Sequence, residues 1–414
     1  MTITLDDLGF LSSDAGARVL DRLANEDLGD DHTLKLITSL RRDLSLQQAG
    51  ASLELARLRK KAVSKFGDDA SKMYFTKDAL EQASDPLIRQ RRASMAHFSI
   101  TGRVLDVCCG IGSDTLSFVR EGFSAVTGID LDPVKLAMAR LNAEALGLEA
   151  YFEVVDAREL DPVADLIFYD PARRDSEGSR IFDVTQYQPP LSLIEGWRSP
   201  LLLAKLSPGV DLEQVARYGG VEFISVRGAL KEALLWRVGG KYNEVLVPLG
   251  YPGMGKTKAT LITGTGDELT WSVPRERVNS LFYSEPRGWL IEPDPALIRA
   301  GLVAEAAQKF DGFQLDPEIA YITSFVKPES PWVRAWKIND WMPFNLKKLR
   351  AYLRERNVGT VTVKKRGTAV TPEELIAKLK LNKNDNGSRT IVLSRCRGDQ
   401  IALVCDDLTI EGGG

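Results

Sequence analysis

Four acidic side chains recur along the middle of this chain, each closing or following an apolar run: Asp106, Asp130, Asp156 and Asp170. The first lies in Val104-Leu-Asp-Val-Cys-Cys-Gly-Ile-Gly-Ser-Asp-Thr-Leu116, which reads as a buried strand, a glycine turn and the start of a helix. An α/β sheet opens a nucleoside pocket with this local arrangement. Gly110 and Gly112 let the backbone turn tightly and approach a ligand, because a Cβ would block the conformation or the contact. A pyrophosphate would require amide donors without an opposing carboxylate. Here Asp106 precedes the glycines, Asp114 follows them, and Thr115 stands where a dinucleotide fingerprint has its third glycine. S-adenosylmethionine joins an adenosine to a cationic amino acid and has no phosphate, so it suits a glycine turn flanked by acids.

The elements that must position these acids follow in order. Ala125-Val-Thr-Gly-Ile-Asp130 reads as a second strand ending in a carboxylate for the ribose hydroxyls. Asp132-Pro133 opens a helix through Lys135 to Leu146, with Ala137, Leu141 and Ala145 on one face. Tyr151 to Asp156 reads as a third strand whose tip accepts from an adenine amino group while the Ala157 amide donates to the ring. Ala164 to Tyr169 is a fourth strand, followed by Asp170-Pro171-Ala172-Arg173. The polar tips then share one edge of a parallel sheet, where ligands of such sheets bind.

These four segments resemble the successive motifs of class I S-adenosylmethionine-dependent methyltransferases. The fourth is similar to the Asp/Asn/Ser-Pro-Pro-aromatic motif of enzymes that methylate amino nitrogens. Phe75 to Ser84, Lys205-Leu-Ser-Pro208, Glu292 to Gly301 and the Lys-rich C-terminal region together resemble a bacterial RNA methyltransferase family with a THUMP-like C-terminal domain. The core also resembles the trimethylguanosine synthase branch. The resemblance implies cofactor contacts from Asp106, the Cys108 backbone, Gly110 and Gly112 toward the methionine end. It implies Asp130 and Leu131 at the ribose, and Asp156 and Ala157 at the adenine. Asp170 and Pro171 fall at the transfer site, accepting hydrogen bonds from a target amine and holding its lone pair toward the methyl group.

Ala172 and Arg173 replace the second proline and the aromatic residue of that motif. Tyr169 or Tyr187 is a candidate stacking face. Arg173 has two readings, a stacking or phosphate-clamping guanidinium and a partner, with Arg174, of Asp175 or Glu177. Asp170 also has a second reading, as the cap of a helix beginning at Pro171.

Covalent methylation at a pyrimidine C5 needs a cysteine thiolate, and none of Cys108, Cys109, Cys396 and Cys405 lies in or just after the fourth motif. The first pair belongs to the cofactor turn and the second to the core of a late hairpin. The cysteine spacing and the two histidines, His32 and His97, match no zinc pattern, so no metal is expected. Few cysteines, no apolar run of membrane-spanning length and no basic, signal-like start lead to the expectation of a cytoplasmic protein.

The chain has 414 residues, 44% of them hydrophobic, which suits two or three domains with proper cores. Its net charge of −3 is uneven: from Lys327 onward, 17 Lys or Arg face 10 Asp or Glu. The excess gathers at Lys347, Lys348, Arg350, Arg354, Arg356, Lys364 to Arg366, Lys378, Lys380 and Lys383. Such a face grips a polyphosphate backbone or is merely a solvated helix surface.

The expected fold class is α/β, a Rossmann-like methyltransferase sheet between a helical N-terminal domain (residues 1–95) and an α+β, ferredoxin-like or THUMP-like domain (327–414). The methyltransferase domain then spans 96–326. In the tail, Trp336–Met342 and Val358–Lys364 read as strands, Asn345–Arg356 and Thr371–Leu381 as helices, and Thr390–Ser394 with Gln400–Cys405 as a closing hairpin. The remaining core strands are expected at Leu201–Leu206, Val221–Val226, Glu244–Leu249 and Ala259–Thr263, with Trp289–Phe325 as a link and a Gly-rich end at Gly412–Gly414. The N-terminal helices carry Leu36, Ile37, Leu40, Leu53, Leu55, Leu58 and Val63 at helical spacing and form a cap over the pocket. Arg89, Arg91 and Arg92, just before the first core strand, contact substrate phosphate or pair with acids. The functional expectation is methyl transfer to an exocyclic or ring nitrogen of a base in structured RNA, tRNA or rRNA. The alternatives are a non-catalytic RNA-binding protein on the same scaffold and a methyltransferase for a small molecule or protein.

Overall fold

The computed structural model describes residues 3–174, 178–239, 253–272 and 282–407. The expected strand Glu244–Leu249, the Gly-rich end at Gly412–Gly414 and the acids Asp175 and Glu177 lie outside them. The chain forms two compact units, Met1–Glu222 with Lys231–Lys256, and Phe223–Leu230 with Thr257–Gly414.

The first unit begins with helices α1 (Leu5–Leu11), α2 (Asp14–Ala24), α3 (Thr33–Leu40), α4 (Leu46–Phe66), α5 (Lys77–Gln82) and α6 (Pro86–Ser99). Ser45 and Gln48 form a reciprocal capping box at the start of α4, which runs 21 residues. Leu11, Leu23, Leu40, Leu55 and Phe75 form a core beneath these helices, whereas Val63 faces solvent.

The sheet follows, with β1 (Arg103–Val107), β2 (Ala125–Asp130), β3 (Tyr151–Val154), β4 (Leu166–Tyr169), β5 (Leu201–Leu206) and β7 (Ala229–Val238) in the order β3-β2-β1-β4-β5-β7. The first five are parallel and β7 runs antiparallel to β5. Strand β6 (Gly220–Val226) precedes β7 in the chain. The central strands are covered on both faces, so β4 and β5 are buried along their whole length and read as continuous apolar runs. At the edge, β3 buries only Phe152.

Helix α7 (Ser113–Arg120) follows β1, and α8 (Pro133–Ala145) follows β2 with Asp132 as its cap. A single turn, α9 (Leu212–Val215), separates β5 from β6. The expected apolar face of α8 is one of two. Ala137 and Leu141 pack on the N-terminal helical core, while Leu136, Ala139 and Ala143 pack with Phe152. A helix buried on two sides has no single stripe.

The second unit holds the hairpin β8 (Thr257–Ile262) and β9 (Glu268–Ser272) and a seven-stranded sheet. That sheet contains β10 (Trp289–Pro293), β11 (Gly312–Asp316), β12 (Ile319–Ser324), β13 (Val333–Pro343), β14 (Val358–Lys365), β15 (Gly387–Cys396) and β16 (Asp399–Cys405), in the order β11-β12-β10-β13-β16-β15-β14. The segment expected as a link therefore supplies three strands, too short and too punctuated by Gly, Pro and Asp to show a period. Two short helices, α10 (Pro295–Arg299) and α11 (Val303–Lys309), separate the first of these from the other two. The 11-residue β13 pairs with β10 through its first half and with β16 through its second, so one sheet runs across residue 327.

Helices α12 (Leu346–Glu355) and α13 (Pro372–Leu379) bury Leu349, Leu353, Leu375 and Leu379 against this sheet. Thr371 and Glu374 form the expected capping box. Cys396 and Cys405 are buried, unpaired side chains of the closing hairpin. Among the described residues no helix is long and apolar enough to cross a membrane.

Candidate active site

Strand ends β1, β2 and β4, with the residues after β3, surround a cavity of about 620 Å³ in the first unit. Asp106, Cys108, Gly110, Asp130, Leu131, Asp156, Ala157, Asp170 and Arg173 all line it. Gly112 and Pro171 do not. Gly112 caps α7 at φ 79°, and an added Cβ would lie 3.2 Å from Ala139 Cβ and from the Phe152 ring. Its absent side chain thus permits the left-handed turn and close helix packing. Gly110 differs: at φ 58° an added Cβ meets nothing within 4 Å, so the backbone there is bare. Cys108 also holds a left-handed conformation, at φ 63°.

The turn is tied to the neighbouring strand. The Gly110 amide donates to Asp130 Oδ2 at 2.9 Å, and the Asp132 amide donates to Asp130 Oδ1 at 2.9 Å. Asp156 accepts at both oxygens from the Arg158 side chain and also from the Arg158 amide, so its carboxyl is held below the usual range. An adenine amino group would therefore share this carboxylate with Arg158.

Asp106 is fully buried and accepts from Thr115 Oγ1 at 2.5 Å, while its Oδ1 has no partner among the described residues. Burial, with Asp114 nearby, pushes this carboxyl well above its ordinary value. A buried acceptor on a cavity wall with one oxygen unsatisfied, beside bare backbone at Gly110, fits a ligand carrying a cation and hydrogen-bond donors. S-adenosylmethionine has both. Burial also raises the Cys108 thiol, which removes a thiolate nucleophile from the site.

Asp170 follows β4. Its Oδ2 accepts from Lys205 Nζ at 2.7 Å and its Oδ1 from Arg173 Nη2 at 3.1 Å. Burial opposes its ionisation, but the charges of Lys205 and Arg173 outweigh burial and hold the carboxyl below its ordinary value. Asp170 caps no helix, because the chain beyond it is extended and Ala172 pairs with Gln188. Arg173 turns back, donating also to the Leu206 carbonyl at 2.8 Å. Tyr169 is buried, donates to the Pro189 carbonyl at 2.7 Å, and lies outside the cavity wall. Tyr187 lines the wall, and its hydroxyl accepts from the Ser207 amide at 3.0 Å.

Of the three arginines before β1, Arg91 and Arg92 pair with acids. Arg91 donates to both Glu222 oxygens, at 3.2 and 2.8 Å. Arg92, with only 1% of its side chain exposed, joins Asp114 to Glu232 and lies 4.3 Å over the Phe168 ring. Arg89 donates to the Lys65 carbonyl at 2.9 Å. Ala79, Gln82 and Ala83, in and just after α5, form the cavity wall that the N-terminal helices supply.

Sequence reasoning gave Lys205 and Glu232 no role at the site. For Lys205 the signal was present, a single charge within an apolar run, and a buried charge needs a partner. Glu232 stands beside Lys231, so no local pattern marks it. Among the described residues no cluster of His, Cys, Asp or Glu is suited to a metal ion.

A parallel α/β sheet with carboxylates on its strand ends around a glycine turn is the methyltransferase arrangement. A family model for a methyltransferase domain matches residues 104–169, and one described as THUMP domain-like matches 333–407. A domain of unknown function matches residues 4–62. The chain is 34% identical over 367 residues to an uncharacterized S-adenosylmethionine-dependent methyltransferase of Mycobacterium tuberculosis, found in strains CDC 1551 / Oshkosh and H37Rv. That match covers 85% of this chain and 94% of the relative. The chain belongs to the S-adenosylmethionine-dependent methyltransferase family. The crystal structure of a methyltransferase candidate from Porphyromonas gingivalis W83 shares its fold, with a TM-score of 0.75 at 21% identity, covering 99% of this chain and all of that one.

Proposed function

We propose that the protein transfers a methyl group from S-adenosylmethionine to an exocyclic or ring nitrogen of a base in structured RNA, tRNA or rRNA, in the cytoplasm. The reading rests on one observation above all: Asp106, Asp130, Asp156 and Asp170 line a single cavity around the glycine turn. In this reading Asp106, Cys108 through its backbone and Gly110 serve the methionine end, with Gly112 shaping the turn that presents them, Asp130 and Leu131 the ribose, and Asp156 and Ala157 the adenine. The bound cofactor supplies an electrophilic methyl group.

Asp170 accepts a hydrogen bond from the target N–H and holds the nitrogen lone pair in line, while Pro171, buried beside it and off the cavity wall, fixes where Asp170 sits. Asp170 is a weak base, so the nitrogen would attack as a neutral nucleophile, the N–C bond forming as the methyl–sulfur bond breaks and the thioether S-adenosylhomocysteine leaves, and the nitrogen would then shed its proton to water. Arg173 acts on Asp170 rather than on a phosphate. Tyr187 reaches the wall but is only 1% exposed, so neither it nor Tyr169 offers an open face for base stacking.

Residues 1–95 then form the helical cap, the sheet from β1 to β5 carries the chemistry, and the basic THUMP-like region from 327 onward, whose sheet begins before that residue, grips the RNA backbone. Its positive excess and the THUMP domain-like match at 333–407 support an RNA acceptor. Some of these cations already have structural work. Arg350 and Arg354 donate to the Lys378 and Lys380 carbonyls at the end of α13, and Lys364 and Arg366 pair with Glu292. Lys347, Lys348, Lys365, Lys378, Lys380 and Lys383 are exposed and supply the grip.

The test is methyl incorporation into total RNA from a strain lacking the gene, by wild type and Asp170→Ala, with nucleoside mass spectrometry. Incorporation by wild type and its loss in the variant is expected. Equal incorporation by both overturns the role of Asp170. Incorporation that survives ribonuclease treatment of the extract points to a small-molecule or protein acceptor, and none from either protein favours an RNA-binding scaffold.

A further inference from the structure

Strand β5 reads Leu-Leu-Leu-Ala-Lys-Leu, and Lys205 is its only charge, 5% exposed among fully buried neighbours. An ammonium in such surroundings costs several kcal/mol, on the order of a buried ion's desolvation, unless it is paired. Lys205 Nζ has two partners from different parts of the first unit: Asp170 Oδ2 at 2.7 Å and the Gln82 carbonyl at 3.3 Å, at the last turn of α5. The carbonyls at that end of α5 are also held by Lys65 Nζ, at 2.8 Å from Leu80, 3.0 Å from Glu81 and 2.7 Å from Ala83.

We infer that Lys205 is a positioning residue that keeps Asp170 ionised and aimed into the cavity while fastening the α5 wall of that cavity to it. The inference deepens the proposed transfer site and rests on that reading only for its catalytic consequence. Nothing in the fourth motif itself supplies this function. Asp170 Oδ1 is held by its near neighbour in the chain, Arg173, whereas Oδ2 depends on a side chain 35 positions away.

The charges around Asp170 set its ionisation. Lys205 from β5, Arg173 from the extended segment and Arg92 from α6 favour the carboxylate, and burial disfavours it. Asp106 on β1 adds a second acid nearby, and the Cys108, Tyr169 and Tyr187 groups are neutral at physiological pH, each raised by burial. Removing Lys205 leaves burial opposed by Arg173 and the more distant Arg92, so the Asp170 carboxyl titrates higher. An opposite charge at this distance is worth about 1–3 pH units. A smaller fraction of Asp170 then accepts from a donor in mildly acidic solution. With one anchor gone, the end of α5 opens more often.

The experiment uses the full-length protein as wild type, Lys205→Met and Lys205→Arg, with carbon-13-labelled aspartate and Asp170→Asn to assign the Asp170 carboxyl signal. The Asp170 titration midpoint is expected to rise by about one unit or more in Lys205→Met and to stay at the wild-type value in Lys205→Arg. Amide exchange of residues 77–83 is expected to quicken in Lys205→Met alone. A midpoint in Lys205→Met equal to that of wild type overturns the inference. So does a raised midpoint in Lys205→Arg equal to that of Lys205→Met, because it would show packing rather than charge at work. Neither readout needs an acceptor. If wild type methylates no RNA while the midpoint shifts as stated, the RNA reading fails and the role of Lys205 stands. If RNA is methylated, the acid limb of kcat moves up in Lys205→Met with little change in cofactor KM.

Discussion

The Gly110 amide and the Asp130 carboxylate meet at 2.9 Å, so the turn after β1 and the end of β2 form one rigid edge of the cavity. Asp130 accepts a second amide from Asp132, which in turn caps α8. A cofactor's ribose hydroxyls would thus meet a carboxylate already oriented by two backbone donors.

Asp130→Ala is expected to weaken S-adenosylmethionine binding by about 10- to 100-fold, the worth of a charge-assisted hydrogen bond of about 1.5–3 kcal/mol. Calorimetry on both proteins measures it. An unchanged affinity would remove Asp130 from the site.

Asp106 is expected to trade stability for binding. Its folded pKa lies above the unfolded value, so the native state carries a cost that grows as pH rises through the gap between the two. Asp106→Asn keeps an acceptor for Thr115 without a buried charge. The variant should therefore gain about 1 kcal/mol at pH 7, and the gain should fade below about pH 4, where the unfolded carboxyl protonates too. Urea unfolding at several pH values reads the trend, and calorimetry should show weaker cofactor binding.

Arg92 links Asp114 on α7 to Glu232 on β7, entirely out of water. Replacing it with Met strands two buried acids, a loss of about 3–5 kcal/mol. Arg92→Lys is expected to recover only part of this, since one ammonium lacks the fork that serves two carboxylates at once. Chemical denaturation of the three proteins provides the comparison; equal midpoints for wild type and Arg92→Met would contradict it.

Lys347→Glu with Lys348→Glu, both on the exposed side of α12, should weaken RNA binding across sequences and lower the slope of log affinity against log salt by about one for each phosphate that is no longer neutralised. Arg350→Ala and Arg354→Ala should instead lower stability, because their guanidinium groups cap α13. Fluorescence anisotropy at several salt concentrations, paired with melting curves, separates the two classes.

The glycine turn, the acids at the strand ends, the capped helices and the basic excess of the tail were all determined by the sequence. These features are local: a turn, a cap or a covered strand is written in a few adjacent residues. Tertiary structure alone decided which cations meet which acids. Arg173 turns to Asp170 and to the Leu206 carbonyl. Lys205 reaches the same carboxylate from another strand, and Arg92 reaches across to Glu232, 140 positions away. It also turned the segment after Trp289 into strands of a sheet shared with the tail. Such pairings depend on which strands become neighbours and on how deeply each charge is buried, and residue spacing records neither.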